Sequence, residues 1–434
     1  MRTSALVVLI SFAACTKSTP PGPDDEAARA KMAECTYGPG AMASETLAPG
    51  TKVGAQIPID HFILVMQENR SFDHYFSKLN HGGVHVAPAT ATNPLADGGT
   101  VMRFHETRYC ISDVNHSWFG SHLQFGNGKH DGFAISNDPD GERALGYFDE
   151  TDLPFYYGLA RTFAISDMHF ASVMGPTQPN RIYYWAATSF GAIRNGLPPL
   201  QVNNKPTNSL FTRLNSAKVE WRSYVSDVAS PAVFVGLLQS NDDNFKMLPQ
   251  FFVDAEAGTL PPVSIVEANF TGGVEGDQDD EHPAGNMQRG QLFTRSIVEA
   301  VMHSPQWPRT ALIFLYDEHG GFYDSVPPPK ACEPDDMLPD GDPSRRFDHL
   351  GFRTPLIVIS PFAKRKYVSH VPVDHTSVTR LVETRFDLPA LTKRDANAWP
   401  LLDMFDFEHP DVSVPELPEA VIDPERDAQC KRDF

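Results

Sequence analysis

Two apolar runs that each end in hard oxygen ligands constrain this chain more than any other feature. His61-Phe62-Ile63-Leu64-Val65-Met66 empties into Gln67-Glu68-Asn69-Arg70-Ser71-Phe72-Asp73, and Thr310-Ala311-Leu312-Ile313-Phe314-Leu315-Tyr316 empties into Asp317-Glu318-His319-Gly320-Gly321. A continuous run of this kind reads as a strand buried on both faces, the usual state in a parallel sheet covered by helices. Chemistry in such folds concentrates at the carboxyl edge, where these strands stop. The two motifs lie far apart in sequence, so only a shared sheet brings them together. Runs at 162–166 and 355–359 predict further strands. Apolar residues on one face of 288–304 (Phe293, Ile297, Ala300, Val301), and again at Val378, Leu381, Val382 and Phe386, predict helices. The expected fold is therefore α/β, a mainly parallel central sheet flanked by helices on both faces. Segments 87–100, 194–209 and 327–348 carry Pro, Gly, Asn and Asp and read as surface excursions.

The ends carry an address and a redox signal. Met1-Arg2 followed by the apolar Ala5–Ala14 is too short to span a bilayer and has the form of a secretory signal. Phe12-Ala13-Ala14-Cys15 is similar to a bacterial lipobox, which makes Cys15 the expected lipid attachment point, with ordinary signal cleavage as the alternative. The expected organisation is a signal peptide over 1–14, a tether over 15–50 and a single catalytic domain over 51–434. Such a protein is exported from a bacterium, and is either lipid-anchored in the cell envelope or periplasmic or secreted. Cys35, Cys110, Cys332 and Cys430 then form an even set in an oxidising compartment and predict two disulfides. All three pairings are open, and a Cys35–Cys430 clasp across the ends is attractive. A formal charge of -19 without a compensating basic block excludes a nucleic-acid backbone as partner. It leaves room for a small phosphorylated substrate beside a bound cation.

A third motif supplies a candidate nucleophile. Met174-Gly175-Pro176-Thr177-Gln178-Pro179-Asn180-Arg181 is a glycine-proline turn running into a helical pattern. Thr177 therefore falls near a helix N-terminus, where unpaired N–H groups favour an anion. The plain alternative is that Thr177 only caps the helix. Histidines and carboxylates also gather at His116, Asp279-Asp280-Glu281-His282 and Asp374-His375-Thr376-Ser377, the last of which equally well caps the helix that follows.

Taken together, Glu68–Phe76, Gly175–Arg181, Asp317–Asp324 and Asp374–Ser377 make the chain resemble the bacterial phosphoesterase family over about Ile57 to Phe386. That family includes phosphatidylcholine-type phospholipases C and exported acid phosphatases, and is related in fold to alkaline phosphatases. The resemblance implies one divalent metal ion of unknown identity held by Glu68, Asn69, Asp317 and Glu318, with Thr177 as nucleophile. It implies His116 and His282 as the catalytic imidazoles and Asn180, Arg181, Asp374 and His375 as substrate-binding residues. The implied reaction is phosphodiester hydrolysis of phospholipase C type through a metal-activated threonine and a phosphothreonine intermediate, on a phosphate ester that includes phospholipid. An acid phosphatase acting on monoesters is the nearest alternative, and a non-catalytic binding lipoprotein is the alternative of another class. Sulfatases require a Cys or Ser in a different motif, and none surrounds Thr177.

Overall fold

A computed structural model of the chain describes residues 23–196, 208–234, 241–270 and 278–434. The signal segment and Cys15 lie outside the described residues, as does most of the 194–209 excursion. The central sheet has eight strands: β1 His61–Gln67, β2 Ala164–Ser166, β3 Trp221–Val225, β4 Phe245–Met247, β5 Val263–Glu267, β6 Thr310–Tyr316, β7 Leu356–Ile359 and β8 Tyr367–Ser369. Their order across the sheet is β8-β2-β7-β6-β1-β5-β3-β4. Neighbours pair in parallel except at β7, which runs against both β6 and β2. The chain is thus α/β with a mainly parallel sheet.

The physical cause is visible in β1. Phe62, Ile63, Leu64 and Val65 are all at most 1% exposed. Successive side chains of a strand point to opposite faces, so both faces must be covered. Two packed groups of helices provide that cover. Pro154–Thr162 and Leu248–Ala257 both pack on Met287–Met302, while Thr177–Ala186 packs on His375–Phe386 and Leu210–Ala217. Among the described residues no helix is long and apolar enough to cross a membrane.

Two departures from expectation concern the ends. The disulfides are Cys35–Cys332 and Cys110–Cys430, so the Cys35–Cys430 clasp is not formed. Each terminal segment is instead fastened to the body of the domain. The segment expected to be a tether is also folded from Pro23 onward, with a helix over Pro23–Ala33 and Met32, Ala43 and Leu47 buried in the main core. Its polar composition concealed this, because the contacts that order it come from remote residues. The helix Pro424–Asp433 is held in turn by Arg289 Nε donating to Asp427 at 2.7 Å. Non-reducing peptide mapping should recover the Cys35–Cys332 and Cys110–Cys430 pairs and no Cys35–Cys430 peptide. Cys430→Ser should cost about 2–5 kcal/mol of stability in denaturant titration.

Behind the sheet edge, His169 is fully buried and its Nδ1 lies 2.9 Å from the Thr354 hydroxyl. Burial, with the neighbouring His375, pushes its pKa down from 6.5 to about 3. Between those values the unfolded chain binds a proton that the folded chain refuses, so this residue removes stability as pH falls. Relative to a His169→Gln variant, the parent should lose about 1.4 kcal/mol per pH unit between about pH 6 and pH 4, measured by urea unfolding.

Candidate active site

The tips of β1, β5 and β6 are adjacent because Gln67 pairs with Tyr316 and Val65 with Val266. The next residues along each strand therefore leave the sheet together. Asn69 N–H donates to Asp317 Oδ1 at 3.0 Å, and Glu318 N–H donates to the same oxygen at 2.7 Å. Asn69 is fully buried with φ of 62°, a conformation that Asn tolerates better than other residues with a Cβ. Gly320 follows with φ of 65°, and a Cβ there would stand 2.1 Å from the Asn69 carbonyl oxygen. Only glycine permits this approach of the two motifs.

Arg181 is the cation among these tips. Its Nη2 lies 3.4 Å from Glu68 Oε1, its Nη1 3.5 Å from Glu267 Oε1 and its Nε 3.3 Å from Asp317 Oδ2. One guanidinium does not satisfy so much buried charge. Burial and then repulsion from Asp317 raise Glu68 to about 7, and burial raises Asp317 to about 6 despite Arg181. Burial and Glu68 push Asp280 well above the usual carboxylate range. Glu318 differs: burial opposes ionisation there, but His116 and His319 outweigh it and hold the carboxyl low. Carboxylates that would otherwise collect protons are the electrostatic mark of a cation site.

The donor atoms fit a divalent metal. Asn69 Oδ1 and Glu318 Oε1 are both buried without a hydrogen-bond partner, a costly condition that a hard cation relieves. Glu68, Asn69, Asp317 and Glu318, the four expected ligands, stand at adjacent strand tips, with Asp317 Oδ1 taking the N–H of Asn69 and of Glu318.

The imidazoles stand on the other side of this cluster. His116 Nδ1 donates to Val114 O at 2.6 Å, which leaves Nε2 facing Asn69 Nδ2 at 3.4 Å and Glu318 Oε1 at 4.0 Å. Burial works against protonation of His116, yet Glu318 and Asp113 outweigh it and raise its pKa. Its ring centroid is 5.7 Å from that of His282. Asp113, His116 and His282 each offer an atom within 4.8 Å of the others, which makes them a candidate metal-binding group.

Thr177 opens the helix Thr177–Ala186, and Arg181 lies one turn further along the same helix. Glu68, Thr177, Arg181, Asp280, His282 and Phe270 line one cavity of about 380 Å³. Thr177 thus shares a space with Glu68 and Asp280, behind which Asp317 is reached through Arg181. Asn180, Asp374 and His375 do not line this cavity. Asn180 holds the turn, accepting from Val173 N–H at 3.0 Å and donating to Gly175 O at 2.9 Å. Asp374 caps its helix through Thr376 N–H at 3.1 Å and accepts from the Ser172 hydroxyl at 2.9 Å. His375 is fully buried and donates from Nε2 to Tyr316 O at 3.1 Å. Arg181, expected at the substrate, lines the cavity and is also engaged with carboxylates.

Glu267 and Asp113 border the site and were not foreseen, and Asp280, read from the sequence only as part of a polar cluster, joins them. Glu267 ends Val263-Ser264-Ile265-Val266, the same grammar as the two leading motifs, but Ser264 and the preceding Pro261-Pro262 shorten the apolar signal. Removing the charge in Arg181→Met should lower stability by about 3–5 kcal/mol, because it strands buried carboxylates. In thermal unfolding, an added divalent cation should raise the melting temperature more in this variant than in the parent.

A model of the Phosphoesterase family matches residues 59–389. Phospholipase C B of Mycobacterium tuberculosis is 30% identical over 88% of this chain and 86% of its own length. Non-specific phospholipase C1 of Arabidopsis thaliana is 34% identical over 79% of this chain and 70% of its own. Among solved structures, the lipoteichoic acid synthase LtaP from Listeria monocytogenes covers 86% of this chain and 81% of that one at 9% identity and a TM-score of 0.41. A protein in the alkaline phosphatase superfamily from Vibrio parahaemolyticus covers 86% of this chain and 78% of that one at 8% identity and a TM-score of 0.40.

Proposed function

The chain belongs to the Phosphoesterase family and is a hydrolase of phosphoester bonds, and from that premise we propose that it cleaves phosphodiesters in the manner of a phospholipase C, with Thr177 as nucleophile. The observation that carries this reading is the single cavity shared by Thr177, Glu68, Arg181 and His282. A divalent cation held by Glu68, Asn69, Asp317 and Glu318 would neutralise phosphoryl oxygens and ease loss of the proton from the attacking hydroxyl.

The remaining work falls to the chain. The first turn of the Thr177 helix presents its N-terminal end to the phosphate, which favours negative charge there. Arg181 holds the carboxylate tips apart in a fixed array, so the hydroxyl one turn away keeps its line of attack. The Thr177 oxygen forms a bond to phosphorus as the bond to the leaving alcohol breaks. His116 or His282 gives that alcohol a proton, and the same imidazole then takes one from the water that releases phosphate ester from Thr177. His116 suits this role because its Nδ1 is fixed on Val114 O and its Nε2 faces the site.

A lipid-sized leaving group is supported by the surface beside the cavity. A second hollow of about 600 Å³ combines the apolar Trp118, Phe119 and Ile193 with a polar wall that includes Asp113, Arg143 and Arg194. Phe119 and Leu123, one turn apart on the helix Trp118–Phe125, are 54% and 51% exposed. Aromatic and aliphatic side chains so placed suit an interface with lipid. Export, and attachment to a membrane through Cys15, complete the proposal.

Chelated and metal-loaded protein assayed in parallel on p-nitrophenyl phosphate and p-nitrophenyl phosphorylcholine decides the substrate class. Preference for the second, lost on chelation, is the expected result. Preference for the first makes the protein an acid phosphatase, and silence on both with metal present makes it a binder. Thr177→Ala should lower kcat by on the order of 10³-fold or more. Thr177→Ser should retain turnover, and rapid-quench labelling should find phosphate on residue 177 in the parent.

A further inference from the structure

Toward the β8 end of the same carboxyl edge, two imidazoles converge on one buried carboxylate. β2 and β8 run parallel with Ser166 opposite Ser369, so the residues that follow, Asp167 and His370, leave the sheet side by side. His370 Nδ1 lies 2.9 Å from both Asp167 oxygens. His85 arrives from the loop beyond the Phe72–Phe76 helix, and its Nδ1 is 3.4 Å from Asp167 Oδ2. The two rings are 4.9 Å apart, and one ligand atom from each residue falls within 4.8 Å of the others. Asp167 is fully buried, while the His85 and His370 side chains are 60% and 44% exposed.

This arrangement is braced from beneath. Buried Arg353 donates from Nη1 to the backbone carbonyls of both His85 and Asp167 at 2.9 Å. The His85 N–H donates to Asp167 Oδ2 at 2.7 Å. The backbone that carries two of the three groups is therefore fixed before any ligand arrives. A half-exposed histidine gains little from a carboxylate alone, about 0–1 kcal/mol for a surface pair, and a second imidazole on the same carboxylate gains less.

We propose that His85, Asp167 and His370 form a transition-metal site of the zinc class, separate from the Glu68–Glu318 cluster and sharing no residue with it. Ligands at about 2.0–2.2 Å from a tetrahedral zinc stand roughly 3.3–3.6 Å from one another; the His85 nitrogen is already 3.4 Å from Asp167, and the His370 nitrogen, at 2.9 Å, has a few tenths of an ångström to give. Two imidazole nitrogens and one carboxylate favour zinc or another late divalent metal over calcium or magnesium, which take oxygen ligands. On binding, the proton that His370 Nδ1 now donates to Asp167 is exchanged through solvent, so that each neutral imidazole carries its one proton at Nε2 and offers the Nδ1 lone pair. Asp167 offers one carboxylate oxygen. Solvent supplies the fourth ligand, and the ion pins the His85 loop to the sheet edge.

The test is metal loading of the full chain after removal of bound metal with a chelator. Cobalt(II), followed by its visible absorption, should occupy one more equivalent in the parent than in His85→Ala/His370→Ala, and the double variant should lose the corresponding tetrahedral band. Its hydrolysis of p-nitrophenyl phosphorylcholine should remain at the parental rate, which separates this site from the proposed catalytic one. Equal stoichiometry in the two proteins overturns the proposal. Should the double variant fail to fold, zinc-edge anomalous scattering from zinc-soaked crystals of the parent answers the question directly. A peak between the three side chains supports the site, and no peak there overturns it.

Discussion

A carboxylate withdrawn from water must meet a positive charge or take up a proton, and the carboxyl edge of this sheet is organised by that requirement. Two buried arginines meet it in complementary ways. Arg181 faces Glu68, Glu267 and Asp317, the acids that lead off the three strand tips. Arg353 binds Asp73 at 2.8 Å and Asp324 at 2.7 Å, the aspartates that trail the two leading motifs. Each acidic motif is thus gripped at both ends, and the grip is shared between motifs. Because Arg181 rides on the Thr177 helix, the same ion cluster that balances the tips also positions the hydroxyl.

Strain at the tips fits this picture. Asn69 accepts a left-handed backbone, and Gly320 packs against its carbonyl where no side chain fits. Such conformations cost of order 1–3 kcal/mol and persist only when the surroundings over-determine them. Here the surroundings are the Asp317 oxygen that takes the Asn69 N–H and the carboxylate array behind it. The protein gives up local stability to bring the backbones of the two motifs together while an amide oxygen and a carboxylate oxygen stay buried without partners.

Much of this was legible in the chain. β1 and β6 announced themselves because central parallel strands must be apolar on both faces, and their polar tips stood out against that background. The motif around Thr177 was legible because proline and glycine punctuate a helix start. Less was legible where one residue type serves two purposes. Asn180 holds a turn and Asp374 caps a helix, a part the sequence already allowed Asp374, and their hydrogen-bond partners show it. Glu267 was missed because β5 is short and interrupted by Ser264. The folded state of Pro23–Leu47 was missed for another reason: a segment with little apolar character of its own is ordered by a distant cysteine and by core residues it meets only after folding.

The long reach of the two covalent links bears on how the molecule is made. Cys35 and Cys110 leave the ribosome well before Cys332 and Cys430, and the native bonds close sequence separations of 297 and 320 residues. If oxidation kept pace with synthesis, the first two thiols would meet each other before either rightful partner existed. Correct maturation therefore calls for delayed oxidation or for an isomerase that reshuffles an early mispair. Yield of the native protein will follow the thiol-handling capacity of the host compartment more closely than the intrinsic stability of the sheet.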